Sequence, residues 1–214
     1  MSGLLTSLFS VSDEQMMWRV KTDGDGAAFA RLVARWERPV QRLCARMTGD
    51  PHRAEDLTQT VFARVFARRA SWEPRARFST YLWRVALNLC RDDLRRMSRR
   101  DECSLDALAE ESSDGLDIVA AEDPPPDVQA QAQERGEMVR QALGKLPAHY
   151  REVLVLRHYQ QLKFHEIGEV LDIPTGTAKS RTAEALRQLG LLLQHLNDEE
   201  SCNRKTKTAE LLVQ

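Results

Sequence analysis

Ile167-Gly168-Glu169-Val170-Leu171-Asp172-Ile173-Pro174-Thr175-Gly176-Thr177-Ala178-Lys179-Ser180-Arg181 reads as two short helices joined by a tight turn. Ile167, Leu171, Ile173 and Ala178, continued by Ala185 and Leu186, keep the spacing that a helix-turn-helix needs to bury one face. Asp172, Ile173 and Pro174 make the turn, and Gly168 is small where two helices cross closely. The second helix opens on Thr175 and Thr177 and carries Lys179, Ser180 and Arg181. Short polar groups and cations at a helix N-terminus suit the major groove, where backbone amides hold phosphates and cations reach base edges. An ordinary helical hairpin is the competing reading.

Upstream of this motif, Met138 to Leu146 and a segment near His149–Tyr159 read as helices, and the last helix runs from about Thr175 to Leu196. The first half of the chain is also helical. Ser12-Asp13-Glu14-Gln15 is a capping box opening a short helix. That helix ends near Asp23-Gly24-Asp25-Gly26, which lacks the ligand register of a calcium loop and reads as a turn. Phe29, Leu32, Val33, Trp36, Val40, Leu43, Cys44 and Met47 recur at three- and four-residue steps along a helix from about Ala27 to Thr48, with Pro39 expected to kink it. Asp50-Pro51 opens another, to about Arg69, burying Ala54, Leu57, Val61, Phe62, Val65 and Phe66. Ser79 or Thr80 is expected to cap a third helix, to about Met97. No strand alternation or hairpin turn interrupts this pattern, so the fold class is all-α, with two helical domains.

Charge divides the 214 residues in the same way. From Ala27 to Arg100 there are seventeen Arg and no Lys against seven acids, a net of +10. From Asp101 to Glu137 one Arg faces twelve acids, a net of −11, and from Met138 to Leu196 eight basic residues face five acids, a net of +3. Such a series describes two folded units joined by an acidic connector. An almost pure Arg excess favours a polyanion partner over a merely solvated face. Residues 98–133 hold few large apolar side chains and read as an extended or disordered linker. The segment 197–214 reads as a disordered extension, with a docking segment as the alternative.

Several function classes find no support. No apolar run is long enough to span a bilayer, and the start lacks a basic leader, so a cytoplasmic location is expected. Cys44, Cys90, Cys103 and Cys202 are scattered, and no His/Cys spacing suits a metal, so neither metal nor cofactor is expected. No phosphate-cradling loop, nucleophile elbow or paired-carboxylate site is present, which argues against an enzyme with catalytic residues. The third helix instead carries Tyr81, Trp83, Arg84, Asn88, Arg91, Arg95 and Arg96 off its apolar stripe. Rings that stack on bases, beside guanidinium groups that track phosphates, suit single-stranded DNA. Taken singly, Trp83 reads as a packing residue rather than a base platform, and Arg95 and Arg96 as solvated; the combination carries the functional reading.

Arg77-Phe78-Ser79-Thr80-Tyr81-Leu82-Trp83-Arg84-Val85-Ala86-Leu87-Asn88, preceded by Ala54-Glu55-Asp56-Leu57-Thr58-Gln59 and followed by Gly176 to Arg181, resembles the extracytoplasmic-function (ECF) group of bacterial sigma-70 factors. The resemblance covers roughly Ser12 to Leu196. It implies a region 2 bundle over 12–97, an acidic linker and a region 4 helix-turn-helix over 134–196. It further implies that Glu55, Asp56, Gln59 and Phe62 dock on the β′ clamp helices of RNA polymerase core, with the second domain on the β flap. By the same resemblance Tyr81, Trp83, Arg84, Asn88, Arg91 and Arg95 read and melt the −10 element, Asn88 capturing a flipped base. Thr175, Thr177, Lys179, Ser180 and Arg181 match the −35 reader, and the linker matches a segment that threads toward the polymerase channels. Promoter DNA and an anti-sigma factor are the other implied partners, without membrane insertion. Thr60, Glu184 and Leu186 depart from the family pattern, the last two replacing cations. A stand-alone helix-turn-helix regulator, or an interaction module that no longer reads DNA, remains the alternative.

Overall fold

A computed structural model describes residues 11–74, 76–103 and 126–211, with side chains over 11–74, 76–99 and 136–197. Eight α-helices follow one another: α1 Asp13–Asp23, α2 Gly26–Thr48, α3 Pro51–Ala67, α4 Phe78–Cys103, α5 Pro126–Lys145, α6 Ala148–Leu154, α7 Phe164–Leu171 and α8 Thr175–Leu211. A short 3-10 turn, Arg69–Ser71, follows α3, and a π-helical turn, Val155–Tyr159, continues α6. The described residues contain no strand. They divide into two compact units, built mainly on α1 to α4 and on α5 to α8.

Local chemistry explains where the helices of the first unit begin. The Ser12 side chain accepts the Gln15 N–H at 3.2 Å while the Gln15 side chain accepts the Ser12 N–H at 3.1 Å, the capping box expected at the start of α1. Asp25 accepts the Ala28 N–H at 3.0 Å, so the acidic turn serves as the cap of α2. Gly49 ends α2 at φ 78°, a conformation that costs a side-chain-bearing residue energy. The start of α4 departs from expectation. The helix begins at Phe78, whose N–H donates to Glu14 Oε1 of α1 at 3.0 Å, rather than being capped by Ser79 or Thr80. Thr80 is buried instead.

The first unit's core holds Met17, Leu32, Leu43, Phe78 and Leu82. Aromatic edges pin the helices: Trp36 of α2 meets Trp83 at 5.5 Å and Phe78 at 6.5 Å, while Phe29 meets Phe66 at 5.0 Å and Phe62 at 6.5 Å. The buried Thr58 hydroxyl donates to the Ala54 carbonyl at 2.6 Å, which satisfies it.

In the second unit α8 packs on α5 and α6, burying Ala142, Leu143, Leu146, Val153 to Leu156, Ile167, Ala178 and Ala185. Arg151 is buried and donates to the carbonyls of Gly144 and, at 3.0 Å, Leu146, so a cation satisfies the C-terminal end of α5. Burial pushes its pKa down, and the neighbouring Glu152 carboxylate opposes that shift. Sequence reading had not singled out this residue.

The connector and the tail need correction. Residues 98–103 belong to α4 and 126–133 to α5, so both ends of the expected linker are helical; 104–125 lie outside the described residues. Likewise α8 does not stop near Leu196 but continues to Leu211, against the expectation of disorder. No described helix is long and apolar enough to cross a membrane.

Candidate nucleic-acid interface

An α-helix turns about 100° per residue. On that basis Tyr81, Arg84, Asn88, Arg91 and Arg95 fall within an arc of about 80° on α4, along roughly 21 Å of its length. Arg84, Asn88 and Arg95 are exposed, Tyr81 and Arg91 half-buried. The Asn88 side-chain oxygen accepts a hydrogen bond from Arg91 at 3.1 Å, which holds the amide beside a cation. Arg95 pairs loosely with Asp92 at 3.7 Å. Burial pushes the Tyr81 hydroxyl above its usual pKa, against a smaller opposing pull from Arg68, so the ring stays neutral and its face can stack.

Trp83 does not share this face. It lies about 200° round the helix from Tyr81 and is only 2% exposed, its ring edge-on to Trp36. It is a core residue, and the expectation that it meets a base is corrected. A similar correction applies to α3. Glu55, Asp56 and Gln59 are exposed within about 100° of arc, but Phe62 is 6% exposed and packs against Phe29 inside the unit. Thr60 sits at the edge of the exposed face, its hydroxyl donating to the Asp56 carbonyl at 2.8 Å.

The helix-turn-helix is formed by α7 and α8. Glu166 accepts the Lys163 N–H at 2.8 Å and so caps α7. Asp172 leaves that helix at φ 56°, a left-handed turn that Asp tolerates. Gly168 is required by the backbone of the turn more than by a helix crossing. A Cβ there would stand 2.7 Å from the Ile173 carbonyl oxygen, while the Ile173 N–H donates to the Gly168 carbonyl at 3.0 Å.

Thr175, Lys179 and Ser180 are exposed on α8, Thr177 and Arg181 half-buried. Ala178, Thr182 and Ala185 face the core. The outward face opposite them collects Thr177, Ser180, Glu184 and Arg187 within about 80°, with Lys179 and Arg181 on its two flanks. Two of these four residues were not in the expected set. Glu184 accepts from Arg187 at 2.6 and 2.9 Å and from Gln188 at 2.9 Å. Those hydrogen bonds hold the half-exposed Glu184 carboxyl at a pKa of about 2. The signal was available in the Glu/Arg spacing of three residues, which places both side chains on one helix face. Leu186 is 46% exposed and lies off this face, about 100° from Arg187.

Comparison with known proteins agrees with this two-unit reading. Residues 32–100 match the family model for sigma-70 region 2 and residues 136–189 that for sigma-70 region 4. The ECF RNA polymerase sigma factor SigW of Bacillus subtilis is 36% identical over 171 residues, covering 77% of this chain and 90% of the relative. The ECF sigma factor SigE of Mycolicibacterium smegmatis is 36% identical over 169 residues, covering 78% of this chain and 63% of the relative. Among solved structures, the sigma factor RpoE of Bartonella quintana, in complex with the anti-sigma factor NepR, superposes with a TM-score of 0.62 at 20% identity. That match covers 78% of this chain and 96% of the other.

Proposed function

The chain belongs to the ECF group of sigma-70 factors, RNA polymerase sigma factors that act in transcription initiation, and from that premise we propose which of its surfaces read the promoter. The α4 face of Tyr81, Arg84, Asn88, Arg91 and Arg95 takes the −10 element. Its cations follow the backbone, and Asn88 meets the edge of an extruded base, whose unstacking costs a few kcal/mol that the pocket must offset. The outward face of α8 enters the major groove at the −35 element, Thr177 and Ser180 toward base edges and Lys179 and Arg181 toward the two flanking backbones, with Thr175 at the phosphate-facing helix start. Glu55, Asp56 and Gln59 dock on the β′ clamp helices, and the second unit on the β flap. Control by an anti-sigma factor and a cytoplasmic location follow from the same family reading.

The single observation that carries this reading is the co-alignment of Arg84, Asn88, Arg91 and Arg95 on one face of α4. It is tested by run-off transcription with the purified chain and bacterial core polymerase on sheared genomic DNA of the source organism. Discrete transcripts that require both components are expected, and mapping them gives the −10 and −35 sequences. Folded protein that neither binds core nor yields transcripts would overturn the proposal. Pull-down of chromosomally encoded partners with the full chain tests the anti-sigma component; expected is a protein that abolishes those transcripts.

A further inference from the structure

The Arg excess of the first half is not spent on α4 alone. On α2, Arg31, Arg35, Arg38 and Arg42 follow one another at steps of four, three and four residues, and all four are exposed. At 100° per residue they occupy an arc of about 60°, along roughly 16 Å of helix. The buried residues Leu32, Val40 and Leu43 lie on another side of the helix. Glu37 is the only acid on α2 and lies about 120° from Arg31 around the helix. Arg35 shares its charge with Asp13 at 2.6 Å. Among the described residues Arg31 and Arg38 have no ion-pair partner, and they are two turns apart, about 10 Å.

We propose that this stripe is a second phosphate-binding track, taking the sugar-phosphate backbone of duplex promoter DNA. The inference rests on the family reading above. The stripe is built of Arg, whose fork matches phosphate and carboxylate oxygens alike. Two features favour a phosphodiester backbone over an acidic protein surface. The exposed residues on its flank are Ala30, Ala34 and the single carboxylate Glu37, with no apolar or aromatic anchor of the kind found at protein interfaces. No exposed ring lies within the stripe to stack on an unpaired base, which separates it from the single-strand character of the α4 face. Phosphate contacts position a duplex without reading it, so the track adds affinity and register and carries no sequence preference of its own.

The test uses holoenzyme assembled from core and the full chain, and a labelled fork-junction promoter fragment whose upstream part is duplex. Anisotropy titrations over a series of salt concentrations give the slope of log K against log salt. The double variant Arg31→Gln/Arg38→Gln is expected to make that slope shallower by about two, near one per lost phosphate contact. Affinity should fall by the same factor on promoter and scrambled sequences. Arg31→Lys/Arg38→Lys should keep the wild-type slope, because a phosphate track counts charge. An unchanged slope in the Gln variant, with wild-type holoenzyme binding normally, overturns the track alone. A loss confined to assembly with core, read by native gel, overturns it in favour of an acidic protein surface. Wild-type holoenzyme that fails to bind the fragment overturns the promoter reading and the track together.

Discussion

At Gly168 an added methyl group would stand 2.7 Å from the Ile173 carbonyl oxygen, a backbone atom of the turn that the Ile173 N–H closes on the Gly168 carbonyl. Alanine would raise helix propensity by up to about 1 kcal/mol, but overpacking of this kind costs about 1–3 kcal/mol. Gly168→Ala is therefore expected to lower the thermal unfolding midpoint of the full chain and to weaken −35 binding by holoenzyme; an unchanged or raised midpoint would count against this account of the turn. Glu14 makes a comparable case in the first unit. Burial raises its pKa, but hydrogen bonds from the Phe78 N–H, its own backbone N–H and Ser12, together with nearby Arg77, outweigh burial and hold the carboxyl below its usual value. A depressed folded-state pKa means stability that is present above the ordinary carboxylate range and lost as pH falls through and below it. Glu14→Ala removes the acceptor at the start of α4 and should cost about 1 kcal/mol, the usual worth of a helix cap. The difference between wild type and variant should shrink in acid, measured by urea unfolding at neutral and acidic pH. A pH-independent difference would show that the carboxylate charge is not involved. The Glu14 interaction cannot be read from one segment, because it joins residues brought together only by folding, whereas Gly168 and Ile173 lie five residues apart in a single motif. The Glu14 contact spans 64 positions, whereas the Ser12 capping box spans three and was legible at once.

Helices were read here by apolar periodicity, and periodicity reports burial rather than helicity. The stripe of α8 ends at Leu196, the last buried side chain described on that helix. The 197–211 stretch contains no Gly or Pro to break it, and the helix runs on to Leu211. For the same reason α4 passes Met97 to reach Cys103, and Pro126 opens α5 where a linker was expected, since Pro suits the first helical position. Ending the chain after Asn197 is thus expected to leave the unfolding midpoint of the second unit unchanged; a clear drop would reveal packing by the helix extension. Facing on α4 gives a sharper contrast. Trp83 and Asn88 are five residues apart but point to opposite sides, a difference that helical projection would have exposed and that the aromatic character of Trp83 masked. Trp83→Ala should destabilise the first unit by about 3–5 kcal/mol, the usual cost of emptying a large core site. Asn88→Ala should leave stability unaltered and reduce open-complex formation, followed by permanganate reactivity of unpaired thymines. Equal melting of the promoter by wild type and Asn88→Ala would remove Asn88 from base capture.

Across the whole molecule the charges are segregated rather than absent. A basic bundle, an acidic connector and a mildly basic second unit, together with slightly acidic chain ends, sum to a formal net charge of only −1. Long-range attraction to DNA depends on that sum as well as on local patches, because a polyanion at a distance larger than the Debye length, about 8 Å at physiological salt, meets a screened and averaged field. The free chain should accordingly bind duplex DNA weakly despite its Arg-rich helices, and specificity should emerge only with core. Between Ser104 and Pro125 there are seven acids and no Lys or Arg. Replacing all seven by Asn or Gln moves the formal net charge from −1 to +6 without touching any residue of the α4 or α8 faces. The expected result is tighter, sequence-independent binding of the free chain to duplex DNA, with a steeper dependence on salt than wild type, measured by anisotropy on unrelated fragments. If the neutralised chain binds no more tightly than wild type at low salt, net charge does not restrain the basic bundle, and the weak binding of the free chain must come from faces that only assembly with core aligns.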